Sequence, residues 1–161
     1  MKKLILNPIG MLLSGLLLGV LSRCLDVYTT NLGNIFSQLA VWILFGVLIS
    51  IYSSTKGRAA GNLLPFSLGM LLTYYGAAVA THGVYSRTFI LGWTVFALCS
   101  PVLAWFAWSA KEKGAFPAMI RIGILLASVL SSMILFDGFR IYDWIINGLL
   151  VYILFFKRIK R

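Results

Sequence analysis

Six long apolar runs, broken by short polar segments, organise this sequence. The runs are 8–25, 35–53, 63–81, 88–107, 116–136 and 141–156, and none alternates strictly between apolar and polar positions. Barrel strands alternate over about ten residues, whereas unbroken apolar stretches of this length are helical. The punctuation agrees. Asn7 can accept backbone N–H bonds as an N-cap, and Pro8 fits the first helical position, where no donor is needed. Thr29, Thr30, Asn31, Gly33 and Asn34 form the first turn region, and residues 53–58 read as a loop. Asn62 and Pro65 mark the start of the third helix, Pro101 kinks the fourth, Lys111-Glu112-Lys113-Gly114 is a break, and Pro117 opens the fifth.

Spans of roughly 20 residues are what a bilayer requires, and six of them leave no room for an extramembrane domain in 161 residues. The expected architecture is therefore all-α: one transmembrane domain over 1–161, a polytopic six-helix bundle. The sixth helix, 16 residues long, covers only roughly 24 Å and should stand upright in a locally thinned bilayer. Composition supports this, with 60% hydrophobic and 11% charged residues and a mean hydropathy of +0.94. Those values exclude a soluble domain, a disordered chain and a nucleic-acid module. Cys24 and Cys99 both fall in apolar runs and are expected to be free, buried thiols.

Lys2 and Lys3 before the first run, with Leu21-Ser22-Arg23-Cys24 after it, faintly suggest a secretory or lipoprotein signal. Arg23 stands where a small residue is needed, so the segment is expected to remain as a first helix. Charge then sets orientation. With both termini inside, the inner loops and ends hold Lys2, Lys3, Lys56, Arg58, Lys111, Lys113, Arg121, Lys157, Arg158, Lys160 and Arg161 against Glu112 alone. The outer side balances Arg23, Arg87 and Arg140 with Asp26, Asp137 and Asp143. All of the formal +10 charge thus lies on one face, which predicts cytoplasmic termini in a cytoplasmic (cell) membrane. Trp105, Trp108, Phe155 and Phe156 at inner ends, with Tyr142 and Trp144 at an outer end, fit interfacial belts.

Catalytic motifs are missing. His82 is the only histidine, no phosphate-binding glycine loop occurs, and the run centres hold no Asp, Glu, Lys, Arg or His. Acid–base chemistry and ion coupling rely on such groups, so no enzyme activity, cofactor or metal site is expected. The outer charges are more informative. Arg23 with Asp26, Asp137 with Arg140, and Arg140 with Asp143 are each three apart, a helical ion-pair spacing. They either tie loops together or rim an outward cavity, near His82 and Arg87. At similar depth come Gln38, Trp42, Tyr74, Tyr75, Trp93, Ser128, Ser131, Ser132 and Asn147. These either hydrogen-bond between helices or line a mostly apolar pocket with a few polar groups. For a pocket, Arg23, Gln38, Trp42, Tyr74, Trp93, Arg140 and Asn147 are the candidate ligand residues: arginines to orient a polar or anionic group, aromatics to stack, amides to hydrogen-bond.

Small residues supply the last pattern. Gly15-x-x-x-Gly19, Gly69 with Thr73, and Gly76 with Ala80 permit close helix approach, within the bundle or to a partner membrane protein. The stretch from Gly15 to Asp26, continuing through Asn31 to Gln38, resembles small six-helix membrane proteins of uncharacterised bacterial families. In topology the chain is also similar to the substrate-binding S components of energy-coupling-factor vitamin transporters. That resemblance implies an outward pocket and a transport partner docked through small residues, although the S-component alanine motif is replaced here by Gly15 and Gly19. The expected role is a small-solute binding or transport component. The alternative is a non-catalytic accessory protein acting by helix–helix contact. Expected partners are the lipid bilayer, a small-molecule ligand, and a membrane protein or second copy; nucleic acid is not among them.

Overall fold

A computed structural model of the protein describes residues 6–29, 35–36, 38–83, 86–135 and 138–159. Among the described residues six helices follow in order: α1 Pro8–Tyr28, α2 Leu39–Tyr52, α3 Lys56–Ala80, α4 Arg87–Ser109, α5 Ala115–Leu135 and α6 Ile141–Val151. The last continues as a single π-helical turn, Tyr152–Phe156. No strand occurs among the described residues. Among the described residues four helices, α1, α3, α4 and α5, are long and apolar enough to cross a membrane; α2 and the α6–π segment are apolar but shorter.

The helix starts follow local chemistry. Asn7 Oδ1 accepts the Gly10 N–H at 2.8 Å ahead of Pro8. Thr55 caps α3 by accepting the Arg58 N–H at 3.2 Å, so Lys56, Gly57 and Arg58 form a first helical turn rather than the loop expected from their polarity. Asn62 and Pro65 consequently lie inside α3 and do not open it. Asn62 is tolerated there because its amide donates to Ser53 Oγ at 3.0 Å and to the Leu6 carbonyl at 3.4 Å. α2 begins at Leu39 instead of residue 35, because Gln38 is extended. The Trp42 indole reaches back to the Phe36 carbonyl at 2.9 Å and holds that bend.

Packing explains the hydropathy of each element. α2 touches α3, α4, α5 and α6. A helix surrounded by others is apolar all round, and α2 reads Leu-Ala-Val-Trp-Ile-Leu-Phe. Its two sides join two cores: Val47 and Ile51 with Ile146, Leu150 and Leu154 on one, and Trp42 and Ile49 with Met11, Leu63, Phe66 and Met70 on the other. Outward faces remain apolar, for example Leu17, Leu98, Leu126 and Ile134. Exposed apolar surface on that scale marks a lipid or protein environment. Cys24 and Cys99 are free as expected, but both are exposed on such faces rather than buried.

The most extensive pairing is α1 on α3. Methyl groups built at Gly15 and Gly19 would fall on the Phe66 carbonyl and on the Thr73 hydroxyl and Met70 carbonyl, and one at Gly69 would come 2.8 Å from the Leu12 carbonyl. Backbones this close allow Thr73 Oγ1 to donate to the Leu16 carbonyl across the interface at 2.8 Å. Gly15, Gly19 and Gly69 are thus internal packing residues, with no groove left open along them. Gly76 has no such neighbour.

Candidate functional site

Interhelical bonds sort the helix ends into two sets. At one end Trp108 Nε1 donates to the Ser53 carbonyl at 2.9 Å, Lys56 pairs with Glu112 at 3.4 Å and lies 4.8 Å from the Trp105 ring, and Lys111 Nζ donates to the Leu154 and Lys157 carbonyls at 3.1 and 2.7 Å. The last pair of bonds satisfies carbonyls that a helix end leaves orphaned. Arg121 Nη2 donates to the Glu112 carbonyl at 3.3 Å. Lys157 sits 5.6 Å from the Tyr52 ring, and its hydrogen bond with the Tyr52 hydroxyl raises its pKa above the ordinary lysine range. Among the described residues this end holds Lys56, Arg58, Lys111, Lys113, Arg121, Lys157 and Arg158 with one acid, Glu112.

The opposite end carries two separate polar clusters. The first ties α1 to α3. Arg23 Nη1 pairs with Asp26 Oδ2 at 2.8 Å, the ion pair expected from their spacing. Arg23 Nε and Nη2 also donate to Thr81 Oγ1 at 3.2 and 3.0 Å, and Tyr74 donates its hydroxyl proton to Asp26 at 3.3 Å. Just beyond, His82 takes a positive φ of 49° and lets the Gly83 N–H bond back to the Ala78 carbonyl. A side chain on Gly83 would strike the Arg23 guanidinium.

The second cluster lies between α2, α5 and α6. Asp143 was expected on an exposed rim, yet it is 0% exposed. Its Oδ2 accepts the Arg140 backbone N–H at 2.9 Å and its Oδ1 accepts the Ser132 hydroxyl at 3.0 Å. The Arg140–Asp143 ion pair is therefore replaced by a helix-start bond from the backbone, favoured for an acid in a first turn. The Arg140 guanidinium instead donates to the Tyr142 hydroxyl at 2.7 Å, which Gln38 Nε2 also meets at 3.4 Å. Asn147 Nδ2 donates to the Asp143 carbonyl at 2.8 Å. The pairing of Asp137 with Arg140 lies outside the described residues.

Of the seven candidate ligand residues, Gln38, Arg140 and Asn147 share this second cluster, and Arg23 and Tyr74 share the first. Trp42 packs in the core against Phe36 and Phe45, and Trp93 stacks edge-on against Phe96 beside the same core. Among the described residues, three buried polar atoms of the second cluster have no hydrogen-bond partner: Gln38 Oε1, Ser128 Oγ and Asn147 Oδ1. Sequence spacing did not reveal Thr81, or Ser132 as the partner of Asp143; those contacts join helices and have no local signature. A cavity of about 410 Å³ lined by Met11, Leu17, Phe45, Ile49 and Phe66, and one of about 320 Å³ by Leu6, Leu48, Ile49 and Tyr52, are apolar and contain none of the seven.

Compared with protein-family models, curated proteins and solved structures, the chain matches none. Its class rests on the fold alone: an all-helical protein with four helices able to span a membrane.

Proposed function

We propose that this is a multi-pass protein of a cytoplasmic membrane, with six spans and both termini in the cytoplasm. It serves as a small-solute binding or transport component, without catalysis, whose site is the polar cluster between α2, α5 and α6. The cationic end then faces the cytoplasm, as the distribution of Lys and Arg favours. The two short helices fit six spans: α2 is sheathed by its neighbours and need not match the lipid thickness, and a short α6 is accommodated by bilayer thinning. On this reading the Arg23 cluster is a structural clasp and the outward site is narrower than the sequence suggests. Topological likeness to S components belongs to the same proposal.

The observation that carries the solute site is the set of unpartnered buried groups at Gln38, Ser128 and Asn147. Buried polar atoms are nearly always satisfied by protein, water or a ligand. An accessory protein docking through Gly15 and Gly19 loses its surface, because α3 already fills it. The test is a thermal-shift screen of purified protein against vitamins and other metabolites, repeated with Asn147→Leu. A compound that stabilises the wild type and not the variant supports the site. A broad panel without a hit, or a hit unaffected by the variant, rejects it.

A further inference from the structure

The polar cluster has a preferred charge of ligand, and the reason lies in which of its atoms are spent. The Asn147 amide donates to the Asp143 carbonyl and the Gln38 amide to Tyr142, so what each leaves unpaired is a carbonyl oxygen. Ser128 contributes a hydroxyl oxygen, whose residue is 0% exposed. The Asp143 carboxylate accepts only from the Ser132 hydroxyl and the Arg140 backbone; among the described residues no cationic side chain pairs with it.

Register stacks these atoms over two adjacent turns of α5 and α6. α5 and α6 pack against each other after a short connection, and Ser132 meets Asp143. Helical faces repeat at four residues, so one turn further in Ser128 on α5 faces Asn147 on α6. Ser128, Ser131, Ser132, Asp143 and Asn147 are all buried on the facing sides, and Leu150 closes the cluster with hydrocarbon another turn along. Gln38 enters from the start of α2, across Tyr142. The result is a buried set of oxygens with an acid at its edge.

We infer that this cluster binds a small cation, an alkali metal ion such as Na⁺ or an ammonium group, through Ser128 Oγ, Asn147 Oδ1 and the Asp143 carboxylate. Neutral and carboxylate oxygens are the donors that hard cations and ammonium groups take, and at an outward helix start such a site is placed for ion or amine entry from outside. The inference rests on the solute site proposed above and gives it a charge.

Thermal unfolding of the full chain in detergent, at fixed ionic strength in NaCl, KCl, NH4Cl or choline chloride, tests it. Choline, a quaternary ammonium with no N–H to donate and a charge shielded by methyl groups, is the reference cation. The expected result is a higher Tm in at least one small-cation salt than in choline, rising with concentration as binding to the folded state requires. Ser128→Ala should abolish the difference, since it removes a ligand oxygen that makes no other bond. Ser100→Ala, which removes another unpartnered buried hydroxyl on α4, should retain it. Na⁺ without NH₄⁺ would identify a metal ion, and NH₄⁺ without Na⁺ an amine. Equal Tm in all four salts, or a salt effect equally present in Ser128→Ala, overturns the cation. A neutral metabolite that binds in choline medium and loses binding in Asn147→Leu would leave the solute site standing while the cation falls.

Discussion

A methyl group at Gly15 has nowhere to go. Built on the observed backbone, it lies against the Phe66 carbonyl, carbon and α-carbon, which are backbone atoms and cannot turn aside as a side chain would. α1 and α3 must therefore separate. Overpacking of this kind costs about 1–3 kcal/mol, and separation also stretches the bond from Thr73 Oγ1 to the Leu16 carbonyl, worth about 0.6 kcal/mol between membrane helices. Gly15→Ala should thus lose about 2–3 kcal/mol. Gly19→Ala should lose a similar amount, because its methyl meets Thr73 and Met70. Gly76→Ala is the control: no heavy atom lies within 4 Å of its methyl, and alanine gains up to about 1 kcal/mol of helix propensity. Reversible unfolding in mixed micelles of rising denaturing-detergent fraction, followed by circular dichroism, ranks the three. Midpoints that fall for Gly15→Ala and Gly19→Ala and stay or rise for Gly76→Ala fit the crossing. Three equal midpoints would refute it.

Other perturbations separate strong contacts from weak ones. Asn62→Leu removes bonds to Ser53 and Leu6 at the join of α1, α2 and α3 and leaves buried groups unpaired, so the same unfolding assay should show a loss of about 1–3 kcal/mol. Glu112→Gln breaks a partly exposed ion pair with Lys56, and the midpoint should move by less than about 1 kcal/mol. His82→Gly relieves a non-glycine residue at φ 49° and should raise stability by up to about 1 kcal/mol. Lys157 is held above its ordinary pKa by Tyr52. Its contribution is complete below the unfolded lysine pKa and lost as pH climbs through the raised one, so Tyr52→Phe should be less stable than the wild type at neutral pH, and the difference should shrink as pH rises through the lysine range.

The helices were largely legible from hydropathy because each must bury or expose hydrocarbon along its whole length. The start of α1 was readable to the residue from Asn7 and Pro8. The start of α3 was not: Lys56, Gly57 and Arg58 look like a loop, and the deciding Thr55 cap and the buried role of Asn62 depend on Ser53 and Leu6. Site residues divide the same way. Arg23 and Asp26 lie within one turn, and their pairing follows from spacing. Asp143 has the same spacing from Arg140, but its burial turns on Ser132 across the α5–α6 hairpin, and spacing carries no information about that register. Small residues at Gly15 and Gly19 signalled close approach without naming the neighbour; the partner proved to be α3 of the same chain.

An outward-facing polar cluster requires the two helix-end sets to lie on opposite sides of the membrane. In a version with Cys24 and Cys99 replaced by serine, single cysteines at Arg58, Lys113 and Arg87 can be labelled in whole cells with a membrane-impermeant maleimide. Residue 87 should be labelled in intact cells, and residues 58 and 113 only after permeabilisation. Labelling of 58 and 87 under the same condition would contradict that sidedness.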